Sequence, residues 1–261
     1  MCTRKKEEGT MYQYLTAEKE KGIACITFRR PQQLNAMNRR FMDEIVEAFR
    51  AVNQDDEVQV VLVTGEGRAF MAGADIKEYA AQTDEEFVAF QKKGWQLYDE
   101  AEKGEKPFIA AVNGFALGGG FEIALACDMI IASENAQFGL PEVHLGLVPG
   151  GGGTQRLIQK VGINRAKEIL YLGGKHTAAQ MYEWGIVNYV VPGEKLMEFS
   201  KEIAAKLTRR PPQALANLKK LAYLSTRPLE LPDRMQEEFE RLYALYHTQE
   251  AQSKIQEFAN K

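Results

Sequence analysis

Cysteine and histidine are both scarce, with Cys2, Cys25 and Cys127 against His144, His176 and His247 in a chain of 261 residues. The cysteines lie far apart and form no C-x-x-C, so the spacing suggests neither a zinc site nor a disulfide framework, and a reducing cytoplasm suits them. No G-x-S-x-G is present, and none of the histidines has an evident Ser or Cys partner, which disfavours a nucleophilic triad. Long apolar runs are missing too. No stretch approaches about 18 uninterrupted apolar residues, and the opening MCTRKKEEGT carries charge without the apolar centre of a signal peptide. The expectation is a cytoplasmic protein, neither secreted nor membrane-spanning, with residues 1–10 disordered. Nor is there an excess of one charge: 33 Lys and Arg against 36 Asp and Glu leave a net −3, which gives no general pull toward nucleic acid or an anionic bilayer. No repeat or low-complexity tract is evident.

What is present suits an α/β core with a helical appendage. Tyr12 to Thr16 and Ile23 to Arg29 read as strands around a charged turn, Glu18 to Gly22. Asn38 is placed to cap a helix carrying Phe41, Ile45, Ala48, Phe49 and Val52, and Val58 to Thr64 reads as a buried strand. Asp84 to Lys103 is helical by pattern, with Phe87, Phe90, Trp95, Leu97, Tyr98 and Ala101 on one broad apolar face. Ile109 to Val112, Met129 to Ala132 and Ile186 to Val191 complete the strands. From Glu194 onward the periodicity is helical, broken at Pro211-Pro212 and at Pro228 to Pro232. This places an α/β core over residues 11–192 and a helical region over 193–261. The basic residues of that region, Lys219 and Lys220 among them, read as a solvated helix face.

The chemistry concentrates in Ile109 to Asp128, IAAVNGFALGGGFEIALACD, a strand, a turn, a glycine cluster and a helix. Gly118, Gly119 and Gly120 let the backbone approach a ligand with its N–H groups outward, at a helix start whose dipole favours negative charge. Glu122 argues against a phosphate there, and GGGFE matches neither G-x-G-x-x-G nor a P-loop. An oxyanion donor beside an acid/base carboxylate fits; a glutamate that only favours the helix start fits as well, and spacing alone leaves both open. Glu142, within FGLPEV, offers a second carboxylate beside glycine-rich backbone, and two such groups can divide acid and base roles when their surroundings separate their pKa values. The small residues of Ala69 to Asp75 offer further N–H donors. Gly150 to Gly153 lack a following Lys and read as tight turning and helix packing. His144, two residues past Glu142, reads as an ordinary satisfied or exposed histidine. No metal-ligand spacing occurs.

Four motifs in order, RPQQLNAMN (30–38), FMAGADIKE (70–78), the central stretch (109–128) and FGLPEVHLGLVPGGGGTQRL (138–157), make the chain resemble the enoyl-CoA hydratase/isomerase (crotonase) family over about residues 14–261. The resemblance implies a crotonase-like spiral of ββα units with a C-terminal helical trimerisation region, and a homotrimer or homohexamer. It implies an acyl-CoA substrate with no cofactor, no metal, no nucleic acid and no membrane. It places Glu122 and Glu142 as the catalytic pair, and the backbone N–H groups of Ala72 and Gly119 as an oxyanion hole. It assigns contacts with substrate or CoA to Leu34, Ala36, Ala72, Gly73, Ala74, Asp75, Ile76, Gly118, Phe258 and Lys261. Gln32 and Gln33 depart from the family, which often has Lys after the Arg-Pro. Both glutamates together favour hydration of a trans-2-enoyl-CoA. The alternatives are double-bond isomerisation, hydration in a branched or aromatic pathway, and a non-catalytic acyl-CoA- or RNA-binding scaffold.

Overall fold

The computed structural model describes residues 12–260; the expectations for residues 1–10 and for Lys261 lie outside them. The chain opens with an antiparallel hairpin of β1 (Leu15–Glu20) and β2 (Ile23–Phe28), in register from Leu15 opposite Phe28 to Glu20 opposite Ile23. Its turn is only Lys21-Gly22, both at positive φ, which matches the twist of a two-residue hairpin. The charged residues expected in a longer turn continue β1 instead, because a sheet edge with a solvated face accepts them. Asn38 caps α1 (Arg39–Gln54) by accepting the Phe41 N–H at 2.8 Å, and the predicted apolar residues of this helix are buried.

Three successive units then each lay one strand in a large sheet and the next in a small one. They are β3 (Val60–Gly65) with β4 (Ala69–Met71), β5 (Phe108–Val112) with β6 (Phe115–Leu117), and β7 (Met129–Ser133) with β8 (Gln137–Gly139). Helices α2 (Ile76–Ala80) and α3 (Asp84–Lys103) follow the first unit, and α4 (Gly119–Ala126) follows the second. After the third come a short 3-10 turn (Pro141–Leu145) and α5 (Gly153–Leu172), then β9 (His176–Thr177), α6 (Ala178–Glu183) and β10 (Tyr189–Val191). The large sheet has the order β1-β2-β3-β5-β7-β10 and the small one β4-β6-β8-β9. Apart from β1/β2 and β8/β9 the pairings are parallel. This is the expected spiral of ββα units.

The central strands of the large sheet, β3, β5 and β7, are predominantly apolar because both of their faces are covered. Val61, Val63, Ala110 and Val112 face the main core with Phe41, Phe49, Phe70 and Leu97. Val60, Leu62, Ile109, Ala111 and Ile131 face a smaller core completed by Leu196, Ile203 and Ala204 of α7 (Leu196–Leu207). The first helix beyond residue 192 therefore packs back on the sheet. Next come α8 (Pro212–Leu224), α9 (Leu231–Tyr246) and α10 (Gln249–Ala259). Lys219 of α8 corrects the reading of a solvated basic face: it is buried, donating to the carbonyls of Ala101 (2.6 Å) and Lys106 (2.9 Å) and to Asp128 Oδ2 (2.8 Å). A buried ammonium persists where all its protons are accepted. Leu231, Met235, Phe239, Leu242 and Tyr243 of α9 are exposed.

Candidate active site

A cavity of about 340 Å³ opens where the chain leaves β4, β6 and β8. These strands are neighbours in the small sheet, so their following segments converge: Ala72 to Ala74 after β4, Gly118 and Gly119 after β6, Pro141 and Glu142 after β8. Tyr98 of α3 and Gly150-Gly151 close the back, and Met42, Phe90, Leu145, Leu147 and Val148 give an apolar lining.

The glycine triplet has distinct local reasons. Gly118 sits at φ 51°, ψ −126°, which strongly favours glycine, and a Cβ on it would lie 3.0 Å from Glu142 Oε1. A Cβ on Gly120 would lie 2.1 Å from the Met71 carbonyl, so β4 and α4 approach each other only through a glycine. Gly119 is the first residue of α4, where an N–H has no intrahelical acceptor; among the described residues no other acceptor takes it.

The segment after β4 corrects the expected donor. The N–H of Ala72 donates to the Leu34 carbonyl at 3.0 Å and is not free for a ligand. Two residues on, Met37 pairs with Ala74 in a parallel bridge, donating to the Gly73 carbonyl (2.8 Å) while Asp75 donates back to the Met37 carbonyl (2.9 Å). In such a bridge the residue between the bonded groups turns its own N–H the other way. The amide of Ala74 thus faces away from residues 34–37, and among the described residues nothing accepts it. The loop itself is held by Asn35, buried at φ 56°, which donates to the carbonyls of Glu66, Ala69 and Phe70 and accepts from the Arg30 N–H.

Both carboxylates reach the cavity. Glu122, one turn into α4, is buried, and its Oε1 accepts the N–H groups of Gly151 and Gly153, each at 2.8 Å. The Tyr98 hydroxyl stands 3.4 Å from its Oε2. Burial raises the Glu122 pKa, while the Gly153 and Gly151 amides, the Arg156 charge and the Tyr98 hydroxyl oppose the rise by favouring the anion. Glu142 lacks such a cradle. Its Oε2 is buried without a hydrogen-bond partner, and burial, opposed by a hydrogen bond from its own backbone N–H and reinforced by the charge of Glu122, pushes its pKa up to about 7. One carboxylate is supplied with donors and the other is held near neutrality, the asymmetry that lets a pair act as base and acid.

Gly150 to Gly153 are therefore more than a tight turn, since two of their amides bind the Glu122 carboxylate. Their sequence carried no sign of it, because the acceptor lies about thirty residues upstream (|i−j| of 29 and 31). Tyr98, read only as part of an apolar helix face, is the other residue that pattern missed. Of the remaining predicted contacts, Gly73 and Ile76 line the cavity with Ala72, Ala74 and Gly118. Leu34, Ala36 and Asp75 are not among the lining residues: Leu34 accepts from Ala72, Ala36 accepts from the Arg30 guanidinium, and Asp75 pairs with Arg30 at 3.2 Å. Phe258 is on α10, 80% exposed and apart from the cavity lining. His144 does line the cavity, with Nε2 3.2 Å from the Gly173 carbonyl. No group of metal-ligating side chains occurs among the described residues.

The model of one protein family, enoyl-CoA hydratase/isomerase, matches residues 18–261. A short-chain-enoyl-CoA hydratase of Clostridium acetobutylicum is 45% identical over 199 residues, 76% of each chain, and a crotonyl-CoA hydratase of Syntrophomonas wolfei is 44% identical over 200 residues, 75% of this chain and 76% of its own. A crystal structure of an enoyl-CoA hydratase subunit from Geobacillus kaustophilus superposes with a TM-score of 0.91 at 39% identity, covering 96% of both chains. With the paired carboxylates and the unpaired amides in place, the chain belongs to the enoyl-CoA hydratase/isomerase family.

Proposed function

We propose that this protein hydrates trans-2-enoyl-CoA thioesters to 3-hydroxyacyl-CoA, with Glu122 as base and Glu142 as acid. The observation that carries the reading is the unequal treatment of two carboxylates in one cavity. Glu122, with two amide donors on Oε1, accepts a proton from the water as its oxygen attacks C3. Glu142, protonated at a pKa of about 7, delivers a proton to C2. The electrons of the C2–C3 double bond move toward the thioester carbonyl in the transition state, where charge grows on oxygen. We assign the N–H groups of Ala74 and Gly119 to that oxygen, each supplying about 2.7–4 kcal/mol if it acts as a preorganised donor. The thioester itself makes C3 electrophilic, so this chemistry asks for no metal or redox group.

The same reading makes the CoA moiety the binding handle, with Phe258 and Lys261 as contacts supplied from a neighbouring subunit. The exposed apolar side chains of α9 support a homotrimer or a hexamer of two trimers. The absence of a helix long and apolar enough to cross a membrane among the described residues is compatible with the cytoplasmic location proposed here, in fatty-acid or related acyl-CoA degradation.

The test is loss of conjugated-thioester absorbance with crotonyl-CoA. Glu122→Gln and Glu142→Gln should each lower kcat by at least ~10²-fold while CoA affinity is nearly kept. A fully active Glu122→Gln enzyme overturns the mechanism, and turnover of a 3-enoyl-CoA in preference to crotonyl-CoA makes the protein an isomerase.

A further inference from the structure

Behind the wall of the cavity lies an ion pair that the reaction scheme does not use. Arg156, in the first turn of α5, meets Glu102 at the end of α3 in a two-pronged contact, Nε to Oε1 at 2.9 Å and Nη2 to Oε2 at 2.7 Å. Both side chains are mostly buried, 14% and 16% exposed, and neither lines the substrate cavity. The third nitrogen of the guanidinium, Nη1, donates to the Gly151 carbonyl at 2.6 Å, and its carbon lies 5.3 Å from the centre of the Tyr98 ring. Gly151 and Tyr98 are two of the residues that hold Glu122: the Gly151 N–H donates to Oε1, and the Tyr98 hydroxyl stands by Oε2. Gly151 packs directly against Tyr98, since a Cβ on it would lie 2.3 Å from the ring.

We propose that Arg156 and Glu102 are positioning residues for the catalytic base, one fixing the Gly151 amide and the Tyr98 ring against Glu122 and the other fixing the guanidinium. This rests on the reading of Glu122 as the base. A planar guanidinium spans both oxygens of a carboxylate with one edge and directs a further N–H to a carbonyl in one rigid fork; an ammonium has no such fork to fix the two partners relative to each other. Arg156 also places a positive charge near Glu122, which otherwise faces Tyr98 from α3, Tyr79 from α2 and Glu142 from the turn after β8. Position and charge are separable effects. Removing the cation stabilises the protonated base, so the acidic limb of the rate profile moves to higher pH. Removing Glu102 leaves the cation unneutralised, so that limb does not move up even though the guanidinium is no longer oriented.

The experiment is the pH profile of kcat/KM, with separate kcat and KM, for crotonyl-CoA hydration by the full-length enzyme carrying Arg156→Gln, Arg156→Lys or Glu102→Gln, alongside Glu122→Gln. Arg156→Gln should lower kcat roughly 10- to 100-fold, the scale of a misplaced catalytic group, with KM nearly unchanged and the acidic limb displaced upward. Arg156→Lys should return the limb to its wild-type position while kcat stays low. Glu102→Gln should lower kcat with no upward displacement. Circular dichroism establishes that each variant is folded, and if Arg156→Gln is not, the lysine and Glu102 variants carry the test. Wild-type kcat and an unmoved limb in folded variants overturn the positioning role, provided Glu122→Gln is inactive. An active Glu122→Gln overturns the underlying mechanism instead.

Discussion

Glu142 Oε1 and the α-carbon of Gly118 are so close that the β-carbon of any other residue at 118 would stand 3.0 Å from the carboxylate. Gly118→Ala must displace Glu142, the proposed acid, and also adopt a backbone conformation that disfavours every residue but glycine. Hydration should fall by about 10²-fold, the penalty of moving a catalytic group by an ångström. Steady-state kinetics on folded protein checks this, and an unchanged kcat would show that the acid tolerates displacement.

The pKa of about 7 at Glu142 sets a pH limit. An acid must hold its proton to give it away, so kcat/KM for hydration should decline as pH rises past about 7, and Glu122, the proposed base, should set the decline on the acidic side. The two carboxylates influence each other, so the limbs belong to the pair. In Glu142→Gln the residual activity should lose the alkaline decline.

The same burial has a cost in stability. A carboxylic acid whose pKa is higher folded than unfolded favours the folded state below its unfolded value, about 4.3, and that advantage is lost as pH rises through about 7. Glu142→Gln removes the buried charge. Its Tm at pH 8 should exceed wild type by about 2–4 °C, and the difference should shrink at pH 5. Thermal melts at the two pH values decide it.

The amide of Gly119 can be tested without its side chain. Proline is tolerated at the first position of a helix yet has no N–H. Gly119→Pro should therefore stay folded and lose ~10²–10³-fold in kcat. Gly119→Ala keeps the amide, and its β-carbon meets chiefly the flexible end of Met37 at 3.2 Å, so it should keep most activity. Equal activity of the two would remove Gly119 from the oxyanion site.

Lys219 ties α8 to the core through three acceptors, so Lys219→Met should leave the Asp128 charge buried without its cation and destabilise by about 3–5 kcal/mol. Urea denaturation measures the loss, and a variant as stable as wild type would make this ion pair dispensable.

What could be read in the sequence followed from local causes. Glu122, Glu142 and the glycines 118–120 stand in compact motifs, and the strands announced themselves by unbroken apolar runs. The misses at the site depended on partners distant in the chain. Whether Ala72 or Ala74 presents its amide is decided by the pairing of Met37 with Ala74, not by anything in residues 70–78. That Gly151 and Gly153 serve a carboxylate is decided by α5 starting beside α4. Tyr98 looked like a member of an apolar helix face because its hydroxyl meets a carboxylate from another element.

The small sheet also acts as a ruler. Neighbouring strands stand about 4.8 Å apart, and β4, β6 and β8 mark three successive graduations, carrying in turn the Ala74 amide, the Gly119 amide with Glu122, and Glu142. The spacing between the two unpaired amides and the segments that carry the carboxylates is thereby inherited from main-chain hydrogen bonding between the strands. A side chain exchanged at one graduation therefore changes the chemistry offered there on an unaltered main chain, except where, as at Gly118, the new β-carbon presses on the group carried by the next strand.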